Sequence, residues 1–188
     1  MTIARLSADH SLVLIIDMQT SLMPVIGDAA AQVLAAERLA KGAKALSVPV
    51  HATEHVAEKL GVTIEPLRSL LSTTPNAVLA KRHFDGCRER SSGALIPTQR
   101  KQVLVAGAEA HVCVMQTALS MMARGLEVWM VVDACGSRHD LDKQLAMQRL
   151  QAAGAHLTTA ETVLFEWLEG ADHPQFKAVL EVIKSRDT

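Results

Sequence analysis

Three residues suited to nucleophilic chemistry stand where apolar runs stop. Asp17 follows Leu12–Ile16 (LVLII), Lys81 follows Ala77–Ala80 (AVLA), and Cys113 lies just beyond Gln102–Ala106. In the last stretch, VLVAGAEAHVCVMQTAL, a strand pattern passes through Gly107 and a short polar step into a helix pattern. A thiolate is a strong nucleophile, and an unperturbed cysteine has a pKa of about 8.5. An aspartate at its reference value of about 3.9 takes that proton only at a cost of about 6 kcal/mol. The surroundings must offset most of this. A helix N-terminus at Cys113 would favour the thiolate, and a Lys81 ammonium would favour it further. Partial burial of Asp17 would raise it toward a usable base. Backbone N–H groups around the turn would stabilise an oxyanion. The chemistry offered is attack by Cys113, with Asp17 as proton acceptor, Lys81 as cationic organiser and no histidine in the usual place.

Taken singly, each residue has a plainer explanation. A cysteine near a helix start is usually a small buried hydrophobe, an aspartate a turn or cap, and a lysine a solvated charge. Their coincidence at three strand ends favours the chemical reading, because ligands of open parallel sheets bind outside the carboxyl ends of the strands.

The elements that must position them follow from hydrophobic patterning. Continuous apolar runs suit strands buried on both faces. They predict strands at Leu12–Ile16, Val48–Ala52, Ala77–Ala80, Gln102–Ala106, Glu127–Val132 and Ala155–Thr158. Helical spacing predicts helices at Ala29–Leu46, Thr63–Leu71, Val112–Ala123 (closed by Gly125), Leu141–Ala153, Glu161–Leu168 and Pro174–Lys184. Strands alternating with helices imply a parallel sheet covered on both faces. Asp133, after the fifth run, reads as a strand-end cap.

The bulk numbers fit one domain, residues 1–188, with no targeting segment at its start. A chain of this size buries roughly 70% of its unfolded surface, enough to fold without disulfides or metal. The formal net charge of −1 gives no electrostatic case for nucleic acid or an anionic membrane. No apolar run approaches the roughly 20 residues of a membrane span. The three cysteines, Cys87, Cys113 and Cys135, are an odd number without CxxC spacing, which suits thiols in a reducing cytoplasm. Cys87 and Cys135 read as structural.

At these residues the sequence resembles the isochorismatase-like cysteine hydrolase superfamily over nearly its whole length. LVLIIDMQTSLMP resembles the segment with the catalytic aspartate, LAKRHFDGC that with the catalytic lysine, and VLVAGAEAHVCVMQTALSMMARGLEVWMVVDACGSR that with the nucleophile. PVHATEHVAEKLGVTIEPL, LQAAGAHLTTAE and HPQFK resemble its isochorismatase-domain-containing subgroup, whose members generally lack an assigned substrate. The resemblance implies a three-layer α-β-α sandwich on a six-stranded parallel sheet of order 3-2-1-4-5-6. It implies catalytic Asp17, Lys81 and Cys113. It also implies a non-proline cis peptide at Ala108–Glu109, aiming the N–H groups of Glu109 and Cys113 at one oxyanion position. A homodimer or larger homo-oligomer is implied as well.

Departures from the superfamily pattern matter too. Nicotinamidases of this superfamily carry an Asp-x-His metal motif after the second strand; here HATEH lacks the Asp, and His51 falls within the strand, so neither metal nor cofactor is expected. Glu54, His83 and His111 are candidate substrate-pocket residues, with surface positions as the plain alternative. A retained cysteine favours acyl chemistry on a small amide or related carbonyl compound through an acyl-thioester. The alternatives are a non-catalytic binding or regulatory module that kept the fold, and a redox-sensing thiol.

Overall fold

The computed structural model describes residues 5–71, 77–90 and 99–185. Six parallel strands form one sheet in the order β3-β2-β1-β4-β5-β6. They are β1 (Ser11–Ile16), β2 (Val50–His55), β3 (Val78–Lys81), β4 (Gln102–Ala108), β5 (Glu127–Gly136) and β6 (His156–Thr158). The helices are α1 (Ala29–Ala45), α2 (Ala57–Leu60), α3 (Leu67–Leu71), α4 (Met115–Ala123), α5 (Asp140–Ala152), α6 (Ala160–Leu168) and α7 (Phe176–Lys184). A π-helical turn, Ala110–Val114, precedes α4. The architecture is the three-layer α/β sandwich that the sequence implies.

Every residue of β1 is buried, as its unbroken apolar run requires of a central strand. Side chains alternate between faces. Val13 and Ile15 join Ala36, Leu39 and Ala40 of α1 and Leu164 and Trp167 of α6 in one core. Leu12, Leu14 and Ile16 join Ala118 and Met121 of α4 and Met147 and Leu150 of α5 in the other. With few aromatic residues, the helices approach closely through alanine. Gly42 of α1 leaves so little room that a Cβ there would lie 2.2 Å from a methyl of Leu164.

Three strands depart from the sequence reading in ways that matter to the site. β2 starts at Val50, after Pro49, and continues to His55, so Thr53, Glu54 and His55 belong to the strand rather than follow it. β3 ends on Lys81 itself. β5 continues past Asp133 to Gly136, with a register shift against β4 between Val105 and Gly107. Asp133 is therefore not a strand-end cap; its carboxylate accepts from the N–H of Ala160 at 3.0 Å, at the start of α6. The shift changes which β5 residues face each core: Val131 and Ala134 share one, Met130 and Cys135 the other. Such irregularities re-aim side chains beside functional sites.

Gly107 makes the join between β1 and β4 possible. Its φ of 137° suits glycine, and a Cβ there would lie 2.1 Å from the carbonyl oxygen of Ile16. The contact is with backbone, so no side-chain rotation relieves it. Gly107→Ala should lower unfolding stability by about 3 kcal/mol or more. Urea unfolding measures this, and a loss within about 0.5 kcal/mol, as at an ordinary surface position, would contradict the tight join.

Candidate active site

Asp17 leaves the end of β1 with φ 52°, a left-handed conformation that aspartate tolerates. Its N–H donates to the Thr53 carbonyl at 3.1 Å and its own carbonyl accepts from Gln19 at 2.8 Å. This turn sets the carboxylate at the carboxyl edge of the sheet. Thr53 Oγ1 donates to Asp17 Oδ1 at 2.6 Å, and Lys81 Nζ lies 2.6 Å from Asp17 Oδ2. Lys81 Nζ also donates to the carbonyls of His83 and Phe84, at 3.2 and 3.4 Å.

The loop after Lys81 is tied down on both sides. The N–H of Gly86 donates to Thr117 Oγ1 of α4 at 3.0 Å, and Ser120 Oγ of α4 donates to Asp85 Oδ2 at 2.6 Å. The Glu89 carboxylate accepts from the N–H groups of Arg82 and His83, and those bonds hold its pKa down to about 2. Thr117 and Glu89 position Lys81 although neither lies at a strand end, so no strand-end pattern could select them.

Cys113 occupies the π-helical turn, where its thiol feels the charges of Asp17 and Lys81. Asp17, Lys81 and Cys113 are 0%, 2% and 6% exposed. All three side chains are therefore withdrawn from bulk water. The Ala108–Glu109 peptide is cis. The Glu109 carbonyl accepts from the N–H groups of Val112 and Val114, and its side chain pairs with Arg138 at 2.8 Å.

The resting state of the thiol differs from the sequence expectation. A lowered pKa was expected from the helix start and Lys81. Instead, burial, reinforced by the adjacent Asp17 charge, pushes Cys113 up to about 12, and Lys81 offsets only part of this. The resting arrangement is a protonated thiol beside an ion pair. Burial likewise raises Cys87, and raises Cys135 to about 12.

The other predicted pocket residues separate. Glu54 points to the opposite face of β2 from Thr53, where its carboxylate accepts from the N–H and hydroxyl of Thr63 at 2.7 and 2.9 Å. His83 is exposed and paired with Glu89 at 2.9 Å; what it presents to the site is its backbone carbonyl. The half-buried ring of His111 meets Ser137 Oγ at 3.0 Å. Among the described residues no group of three His, Cys, Asp or Glu side chains is placed to hold a metal ion. Two grooves lie elsewhere. One of about 1220 Å³ runs along α6 and Arg5–Ser7, and one of about 480 Å³ lies between Met23–Pro24 and α1; no residue of the trio lines either.

The isochorismatase domain profile matches residues 11–162. The chain belongs to the isochorismatase family. It is 33% identical over 189 residues to isochorismatase domain-containing protein 2A of Mus musculus, covering 97% of this chain and 87% of that protein. It is 34% identical over 188 residues to isochorismatase domain-containing protein 2 of Homo sapiens, with the same coverage of 97% and 87%. A solved structure described as the MAR1 ribonuclease from Caenorhabditis elegans superposes with a TM-score of 0.90 at 33% identity, covering 98% of this chain and 96% of that one. Members of the isochorismatase superfamily are hydrolases.

Two outcomes follow from the ion pair. At pH 8, iodoacetamide should alkylate Cys113 more slowly than a free thiol, with the rate still climbing above pH 9. Asp17→Asn removes the neighbouring anion and leaves Lys81 beside the sulfur, so the rate at pH 8 should rise about tenfold or more; an unchanged or lower rate would contradict the electrostatics. Removing one partner of a buried pair strands the other charge. Lys81→Met should therefore cost about 3–5 kcal/mol of stability, and Asp17→Asn/Lys81→Met should cost less than Lys81→Met alone, as read by denaturant titration.

Proposed function

We propose that this protein is a cysteine hydrolase of small amides or related carbonyl compounds, working through an acyl-thioester on Cys113. The observation that carries the proposal is the buried Asp17–Lys81 ion pair whose charges both act on the buried Cys113 thiol. Cys113 Sγ attacks the carbonyl carbon while its proton passes to Asp17, because a thiol held this high does not ionise in advance. The N–H groups of Glu109 and Cys113 receive the developing oxyanion. Collapse of the tetrahedral adduct breaks the carbon–nitrogen bond, and Asp17 returns the proton to the leaving amine. Water then attacks the thioester with Asp17 as base, and the acid departs as the thiol regains its proton. Lys81 keeps Asp17 oriented and balances its charge. The burial of all three side chains supports a small substrate, and exposed Leu141 and Leu145 on α5 support assembly as a homodimer or larger homo-oligomer.

The description of the C. elegans neighbour as a ribonuclease favours phosphodiester cleavage as a second reading. Against it, Lys81 is neutralised by Asp17, and Arg82 and Arg138 pair with Glu58 and Glu109 at 2.5 and 2.8 Å. A redox-sensing role is disfavoured, since sensor thiols are exposed and low in pKa, whereas Cys113 is buried and high.

A panel of small amides, ureas and carbamates, run beside a single-stranded RNA, tests both readings. At least one carbonyl compound should be hydrolysed, with Cys113→Ala reducing kcat/KM by about a thousandfold or more and Asp17→Asn by a similar factor. Equal turnover by wild type and Cys113→Ala would overturn the nucleophile. RNA cleavage lost in Cys113→Ala, with no carbonyl turnover, would install the second reading.

A further inference from the structure

His55, on the last position of β2, belongs to none of the roles above. Its backbone is registered opposite Lys81, and it shares a strand face with Thr53, which bonds Asp17. Its peptide groups are gripped by Gln19, whose Oε1 accepts from the His55 N–H at 2.8 Å and whose Nε2 donates to its carbonyl at 3.1 Å. The next residue, Val56, has φ 42° and ψ 58°. A β-branched residue in the left-handed region costs about 1–2 kcal/mol and persists only where its surroundings enforce it. The chain thus holds His55 firmly, yet its ring is left without a hydrogen bond among the described residues, and Nδ1 is buried with no partner. Phe84 packs against the ring with centroids 5.3 Å apart.

These facts assign the ring's state. A proton on Nδ1 would be a buried donor with no acceptor. Placing it on Nε2 turns the donor away from the buried atom. Burial lowers the pKa of the ring, and Lys81 acts in the same direction with the smallest push from Arg82, while Asp17 and Glu89 pull the other way. A neutral ring leaves the Asp17–Lys81 pair undisturbed.

We propose that His55 is a substrate-recognition residue: a neutral imidazole, protonated on Nε2, that donates to an acceptor oxygen on the part of a small amide remote from the bond that breaks. The proposal rests on the amide-hydrolase reading and narrows it. Glu54 is turned to the other face and bonded to Thr63, so no carboxylate of β2 is available for a cationic substrate group. The half-exposed Phe84 ring beside His55 supplies an apolar edge. The substrate class is a short amide with an apolar spacer and a second, uncharged acceptor.

The test uses Cys113→Ala protein, which transfers no acyl group, and two probes of similar length: succinamide, which carries a remote carbonyl, and butyramide, which does not. Long-range nitrogen–proton NMR of the His55 ring should show the neutral Nε2–H form at pH 7, shifted by succinamide and not by butyramide. His55→Gln, which keeps an N–H donor, should retain succinamide binding, and His55→Leu should weaken it about tenfold, as expected for one hydrogen bond of about 1.4 kcal/mol. A cationic or Nδ1–H ring, a ring that ignores succinamide or answers both probes alike, or equal loss in the Gln and Leu variants would overturn the proposal. A result against His55 leaves hydrolysis by Cys113 standing, and an inactive wild type leaves the NMR result standing.

Discussion

A buried ion pair sets the terms for everything around it. Asp17 and Lys81 have side chains fully withdrawn from water, 2.6 Å apart. Taking each ion out of water costs several kcal/mol, and their attraction repays this only with good geometry and further hydrogen bonds. The structure supplies them. Thr53 satisfies the second carboxylate oxygen, and the carbonyls of His83 and Phe84 satisfy the ammonium. The loop carrying those carbonyls is fastened in turn to α4 by Thr117 and Ser120. The strand order brings the pair together: β1 is central, β2 lies beside it, and β3 delivers Lys81 from the edge.

The same pair decides what the thiol can do. A cysteine beside an isolated lysine would ionise easily. Beside a lysine already matched to a carboxylate, it stays protonated, because burial and Asp17 outweigh the cation. In the proposed mechanism nucleophilicity is generated on demand, with the proton moving to an acceptor already in place. That mechanism would also shield a buried sulfur from oxidants between turnovers. It also gives the loop geometry around Lys81 a chemical consequence, since any drift of the ammonium changes the charge balance felt by both partners.

Much of this was legible in the residues. Continuous apolar runs marked β1 and β4 because a strand buried on both faces has no reason to alternate, and the abrupt arrival of Asp17 marked the edge of the sheet. The less legible parts were those decided by tertiary contacts. Pro49 delays β2, so the strand extends to His55 and turns Glu54, named as a pocket residue, to the far side. β5 continues through a register shift that no local pattern signals, which removes Asp133 from the strand end. The thiol state was misjudged because a sequence gives the sign of nearby charges but not their pairing or their depth. His83 is a candidate pocket residue in the sequence, whereas in the structure its carbonyl accepts from Lys81 and its ring is exposed. The unpartnered ring of His55 is visible only with Gln19 and Phe84 in place.

The central claim is that Cys113 accepts an acyl group while Asp17 accepts its proton. Rapid acid quench of the protein with an amide donor, such as p-nitroacetanilide at neutral pH, followed by peptide mass mapping, tests this directly. The acyl group should appear on the peptide carrying Cys113, form more slowly in Asp17→Asn because the aniline leaves only with the proton that Asp17 returns, and be absent in Cys113→Ala. Acylation confined to Cys87, Cys135 or a surface lysine, or a Cys113 adduct that forms at the same rate without the Asp17 carboxylate, would contradict it.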